Sequence, residues 1–457
     1  MTRRREEDSM TGRDLVIRTL KHEKLERAPW VPFAGVHAGK LKGYGAREIL
    51  SDVDKLVESL LEVNRIYRPD GQPVVFDLQL EAEALGCELL WADKGPPSVS
   101  SHPLAGAAAV PSRIPGRGDA RIGMAIEAMR RMKAEVGATT ALYGLVAGPF
   151  TLASHLRGTD LFMDMILDPD YVHRLLEYCF EVELAVAGYY IETGMDIIAA
   201  VDPMVSQISP EHFNEFLAAP YGDFFASIRK AGALSSFFVC GNAFRNIEPM
   251  CLTGPDCISV DENIRLAEAK KITDRYGVCL GGNIQLTVVM LFGSQADNMK
   301  AVVDIVDSCG GANLVVSPGC DMPYDVPIEN VIAAGQAARE TAQARTILEH
   351  YRGAEIALDV TLPDYSRLEK PLVEVFTLDS ATCAACGYMM EAAKDMKGIF
   401  GEAIDLVEYK FTVKENIARC MKMGVANLPA IYLDGKLAFS SIIPSRKELE
   451  ERIRELL

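Results

Sequence analysis

The chain has 457 residues, 49% of them hydrophobic and 24% charged, a balance that fits a globular protein with room for more than one domain. Its net charge of −17 argues against nucleic acid as a partner, because phosphate binding needs a basic surface. No apolar run of about 18 residues occurs, so no membrane span is predicted; MTRRREEDSMTGRD is a charged tail without an apolar stretch behind it, and a cytoplasmic location is expected.

After the tail (1–12), short apolar runs rich in β-branched residues alternate with amphipathic segments, as βα units require. Strands are predicted at 30–36 (WVPFAGV), 73–77 (PVVFD), 141–148 (ALYGLVAG), 196–202 (DIIAAVD), 235–240 (SSFFVC), 256–261 (DCISVD), 277–283 (GVCLGGN) and 312–317 (ANLVVS). Eight strands, each followed by a helical stretch, is the count of a TIM barrel over residues 13–348. A doubly wound sheet is the alternative, but no G-x-G-x-x-G follows the first strand.

In a barrel the C-terminal strand ends converge on one mouth. Here those ends carry Asp77, Gly148, Asp202, Cys240, Asp261, Asn283 and, just past the eighth strand, Cys320. Two thiols with carboxylates on one rim are a donor set for zinc, which takes sulfur, nitrogen and oxygen ligands. Packed cysteines and aspartates that cap helices are the plainer reading of the same residues. The remaining cysteines, of eleven in all, sit mostly in apolar segments and fit reduced thiols better than a disulfide framework.

A linker (349–368) leads to a second predicted domain (369–457). There an apolar strand, C-x-x-C (Cys383, Cys386) and a helix are followed by strand, helix, two strands around Asp434–Gly435, and a last helix. This order and the dithiol resemble thioredoxin-like domains, whose first cysteine sits at a helix N-terminus and whose cis-proline, here Pro429, faces the dithiol. The fold expected for the whole chain is therefore α/β: a TIM barrel followed by a small thioredoxin-like domain.

The segments EAEALGCEL (81–89), AGPFTLASHLRGTDLF (147–162), VDPMVSQISPEHFNEF (201–216), FVCGN (238–242), ISVDENIRLAEAKKI (258–272), LGGNIQ (280–285) and SPGCDMPYDVPIENV (317–331) resemble the uroporphyrinogen decarboxylase superfamily. Within it the chain is more similar to the corrinoid-dependent methyltransferases. The decarboxylases carry an arginine-rich segment after the first strand, and FAGVHAGKLKGYG has no arginine to neutralise a polycarboxylate substrate. The resemblance implies zinc bound by an H-x-C pair and a later cysteine. The cysteines carry over to Cys240 and Cys320, but Phe238 stands where the histidine belongs. Glu81 is taken as the substitute ligand, with His37, Glu83 and Asp202 as further candidates; His37, Asn242 and Asn283 are the candidate cofactor contacts.

The implied reaction is transfer of a methyl group from a corrinoid, carried by a separate corrinoid protein, to a thiol or other small acceptor. Zinc would lower the pKa of that thiol. Asp77, Glu83 and Asp202 are the candidate catalytic acids in the barrel, and Cys383, Cys386 and Pro429 the candidate redox residues. Two alternatives remain at this stage: a decarboxylase or lyase acting on a smaller acid, and a redox or metal-handling protein acting through the C-x-x-C domain.

Overall fold

The computed structural model describes residues 10–353, 360–381 and 383–457. Most of the expected tail and residues 354–359 of the expected linker lie outside the described residues. The chain divides into two compact units, of which the larger reaches Gly353.

In the larger unit seven parallel strands pair in chain order: β1 (Gly71–Pro73), β2 (Ala141–Ala147), β3 (Ile197–Val201), β4 (Leu234–Val239), β5 (Cys257–Val260), β6 (Cys279–Ile284) and β7 (Leu314–Pro318). The predicted first strand is reduced to a single parallel bridge from Trp30 to Val316. Pro29 and Pro32 bracket it, and neither has an N–H to continue a ladder. The bridge still curls the sheet into a TIM-like barrel. The amide of Val31 donates to Val316 O at 2.9 Å on one side, and Trp30 O accepts from Asp70 N at 2.9 Å on the other. The predicted second strand, 73–77, is also displaced. Pairing ends at Pro73, after which the amide of Val74 makes one further bond to Tyr143 O at 3.1 Å, so 75–77 run free of the ladder toward the mouth.

Strand residues two apart point to the same face. In β2 and β3 this sends Tyr143, Leu145, Ile197, Ala199 and Val201 into one apolar core with Val31, Phe33, Phe76 and Phe238. Helices cover the outer face, among them α1 (Leu80–Ala84), α2 (Ile122–Val136), α3 (Pro149–Arg157) and α4 (Pro169–Glu192). With both faces covered, the strands read as continuous apolar runs. No helix among the described residues is long and apolar enough to cross a membrane.

The smaller unit is a four-stranded sheet of order β9-β8-β10-β11, built from β8 (Leu372–Thr377), β9 (Asp405–Lys410), β10 (Ala430–Leu433) and β11 (Lys436–Ser440). β9 runs parallel to β8, while β10 and β11 are antiparallel to their neighbours. Asp434 and Gly435, with φ of 47° and 74°, form the β10–β11 turn, the left-handed pair that a tight hairpin favours. Three helices, α5 (Ala384–Phe400), α6 (Lys414–Met423) and α7 (Arg446–Arg454), complete this unit.

Candidate active site at the barrel mouth

Cys240 follows β4 and Cys320 follows β7, and their Sγ atoms lie 2.9 Å apart although 80 residues separate them in sequence. Both thiols are half-buried and pack on the barrel core. Phe238 lies two residues before Cys240 on the same strand face, so its ring points into the barrel beneath the thiols. It lies 5.2 Å from Phe33 and stands edge-on to Phe76 at 6.2 Å, which makes an aromatic floor under the pair.

The loop after β5 braces both cysteine loops. Asp261 accepts from the amide of Gly241 at 2.5 Å and is tied to Asn263 by two further bonds. Glu262 accepts from Leu286 N at 3.1 Å through Oε1, while its buried Oε2 has no hydrogen-bond partner among the described residues. That oxygen presses on Gly319, where a Cβ would fall 2.2 Å from it, so glycine is required beside Cys320. Burial, then the charge of Asp261, pushes Glu262 up to about 8; burial raises Asp261 as well. Asn283, a candidate cofactor contact, instead holds this loop by donating to Asp261 O and Ile264 O at 2.8 and 2.7 Å. Asn242 is half-buried on the rim.

Several candidates prove to be framework. Asp202 is fully buried and accepts from Phe150 N, Thr151 N, Thr151 Oγ1 and Tyr221 OH at 2.6–3.0 Å, which caps α3 and engages both of its oxygens. Gly148 is glycine because a Cβ there would meet the Asp202 Cβ at 2.1 Å. His37 is fully buried with both ring nitrogens engaged, Nδ1 with Tyr324 O at 3.0 Å and Nε2 with Tyr67 OH at 2.7 Å. Burial lowers it to about 4, so the ring is neutral at pH 7 and held within the frame by these two bonds.

Asp77 and Glu83 converge on a residue that the sequence did not single out, Arg121 at the start of α2. Its Nη1 pairs with Asp77 Oδ2, its Nε donates to Glu83 Oε2 at 2.6 Å, and its guanidinium lies 4.9 Å over the Trp91 ring. The Asp77 side chain is 0% exposed. Nothing local in the sequence marks Arg121, since it stands 44 and 38 residues from its partners. Glu81 is not gathered with the cysteines. It is fully buried and set against Glu183 of α4, where burial pushes it up to about 8. Among the described residues no three His, Cys, Asp or Glu side chains lie close enough to hold a metal ion together.

In the smaller unit Cys383 is the N-cap of α5, and its sulfur accepts from the amide of Cys386 at 3.4 Å. The two sulfurs are 2.6 Å apart. Cys386 is buried and accepts from Leu378 N at 3.3 Å; burial holds its thiol well above the ordinary value. Pairing of Phe376 with Ala430 brings Pro429, which follows a cis peptide bond, to the end of β8 just ahead of the dithiol.

The family model described as Uroporphyrinogen decarboxylase (URO-D) matches residues 11–341. The chain belongs to the uroporphyrinogen decarboxylase family. Within this family it is 27% identical over 330 residues to the Methylcobamide:CoM methyltransferase MtbA of Methanosarcina acetivorans, covering 70% of this chain and 95% of the relative. The Methylcobamide:CoM methyltransferase MtaA of Methanosarcina barkeri strain Fusaro is 34% identical over 272 residues, with 58% and 77% covered. A uroporphyrinogen decarboxylase of Trichodesmium erythraeum is 26% identical over 347 residues, with 71% and 95% covered. A solved methyltransferase from Methanosarcina mazei superposes with TM-score 0.67 at 25% identity, covering 73% of this chain and all of that one. Family membership makes the chain an enzyme whose relatives include both methyltransferases and decarboxylases.

Proposed function

We propose that the barrel mouth transfers a methyl group from a methylated corrinoid to a thiol. The observation that carries this reading is the meeting of Cys240 and Cys320 at one mouth, 2.9 Å apart over an aromatic floor. Two thiols are donors that suit zinc, although no third His, Cys, Asp or Glu among the described residues lies close enough to complete a site with them. Cys240 and Cys320 would hold the ion. Phe238 supplies no ligand, so the set has fewer protein donors than the H-x-C pattern provides. When bound, zinc supplies a Lewis acid that lets a thiol exist as thiolate at neutral pH.

The protein's own groups shape the rest. The rings of Phe33, Phe76 and Phe238 keep water from beneath the thiols, which strengthens electrostatic interactions there. Glu262, protonated below about pH 8, limits negative charge beside two thiols. A corrinoid presented by a partner protein would meet the acceptor over this floor. The decarboxylase alternative finds less support, because Asp77 is sealed by Arg121 with no exposed oxygen.

For the smaller unit we read a thioredoxin-like dithiol, supported by its strand order, the N-cap position of Cys383 and the cis bond before Pro429. The deciding experiment measures demethylation of methylcobalamin by added thiols, with metal content determined on the same samples. Activity with bound zinc in the parent, and neither in the Cys240→Ser, Cys320→Ser variant, supports the assignment. Full activity in that double variant overturns it.

A further inference from the structure

The chain holds eleven cysteines, of which eight are buried, while Cys240, Cys320 and Cys383 are partly open to solvent. Within the barrel, exposure and a neighbouring sulfur coincide at the mouth, where the Sγ atoms of Cys240 and Cys320 lie 2.9 Å apart. A disulfide bond of about 2.05 Å is then less than about 1 Å away. The contrast lies deeper in the same barrel. Cys257 and Cys279 stand side by side in the register of β5 and β6, but they are 3% and 0% exposed, so a dissolved oxidant does not reach them.

The mouth pair is also held by the backbone on either side of it. Gly241, the residue after Cys240, donates its amide to Asp261 at 2.5 Å. Cys320 is gripped from two directions. Gly319 lies against Glu262 with no room for a Cβ, and Asp321 accepts from the amide of Gly35 at 2.7 Å, while the amide of Met322 donates to Phe33 O at 2.9 Å. Asp261 and Glu262 are consecutive, so a single loop fixes the approach of both sulfurs. Two reactive groups held in this way act as one intramolecular system, whose effective molarity far exceeds that of a thiol in solution.

We propose that Cys240 and Cys320 are a redox modification site, which a peroxide converts reversibly into a disulfide across the barrel mouth. The sulfur of one cysteine attacks the O–O bond, becoming a sulfenic acid and releasing one water. The sulfur of the other then displaces the hydroxyl of that sulfenic acid as a second water, and the S–S bond forms. Two electrons pass from the sulfurs to the peroxide, and both thiol hydrogens leave in the waters. A dithiol reductant returns two electrons and two hydrogens and restores the thiols. The disulfide occupies both sulfurs and so removes them as metal donors. That consequence rests on the proposed function, whereas the modification rests on the geometry of the pair.

The test uses the full chain, stripped of bound metal with a chelator and treated with hydrogen peroxide in the presence of dimedone, which captures sulfenic acids. Remaining thiols are alkylated and the cysteine peptides mapped by mass spectrometry. The expected map links Cys240 to Cys320, recovers Cys257 and Cys279 as thiols, and shows both mouth thiols restored after dithiothreitol. In Cys240→Ser or Cys320→Ser the remaining cysteine lacks its partner and should yield about 100-fold more dimedone adduct than in the parent. The link should persist in a Cys383→Ser, Cys386→Ser variant, which leaves only the mouth pair of the two. A parent in which either mouth cysteine proceeds to sulfinic acid without the link overturns the proposal, and so does equal dimedone capture in the parent and in the single variants that fold. No methyl donor or acceptor is present, so failure here leaves the methyl-transfer reading to its own assay.

Discussion

The two close cysteine pairs of this chain are built by opposite means. Cys383 and Cys386 are three residues apart, and one turn of α5 brings their sulfurs to 2.6 Å. Cys240 and Cys320 reach 2.9 Å only because β4 and β7 end at the same mouth of a closed barrel. The first pair pairs a helix-capping thiol with a buried one, an asymmetry that suits exchange between dithiol and disulfide. The second has two half-buried thiols on an aromatic floor, the pair on which the proposed metal site rests. The environment, more than the distance between sulfurs, separates the two chemistries.

The strongest test of that contrast is loss of function. Cys240→Ser or Cys320→Ser is expected to lower methyl transfer to a thiol by about 1000-fold, the scale of losing a Lewis acid, whereas Cys383→Ser with Cys386→Ser should leave the rate within about twofold under reducing conditions. Equal losses in both sets would dissolve the distinction. Next comes the floor. Phe238→Ala should destabilise the larger unit by about 3 kcal/mol or more, read from denaturant midpoints. Phe238→His should raise zinc affinity by supplying an imidazole beside Cys240, checked by competition with a chelator; unchanged affinity would show that the residue at 238 does not reach the pair.

The buried acids give a smaller and pH-dependent effect. Glu81 is raised from 4.5 to about 8, so it contributes stability that is fully present below its unfolded value and is lost as pH rises through 8. The unfolding constant should therefore grow by up to about tenfold per pH unit across this window for one proton. Glu81→Gln should flatten the dependence, and identical slopes in parent and variant would count against burial as the cause. The smallest effect expected is a rate ratio within the helical pair. Cys383 should alkylate about tenfold faster than Cys386 at pH 7, because burial holds Cys386 in the thiol form. Equal rates in single Cys→Ser variants would make the pair an inert structural one.

Strand periodicity made most of the barrel legible, since a strand buried on both faces must be a continuous apolar run. It failed at two places with a common cause. Pro29, Pro32 and Pro73 remove ladder donors, so run 30–36 makes one bridge and run 73–77 leaves the sheet at its first residue. The candidate acids show a different limit. Residue type and strand-end position pointed equally to Asp77, Asp202 and Glu81. Only their distant neighbours, Arg121, the α3 amides and Glu183, show that one is ion-paired, one is a cap and one is a buried neutral acid.

By itself, then, the sequence determined the α/β class, the C-x-x-C helix cap, the turn at Asp434–Gly435 and the family, because each rests on local pattern or on motifs in order. Tertiary structure alone decided how closely Cys240 approaches Cys320 at the mouth expected for both, that Arg121 seals Asp77 and that Glu81 lies beside Glu183. Those encounters span 80, 44 and 102 residues, and such separations are closed only when the barrel curls and its helices pack, which no local periodicity encodes.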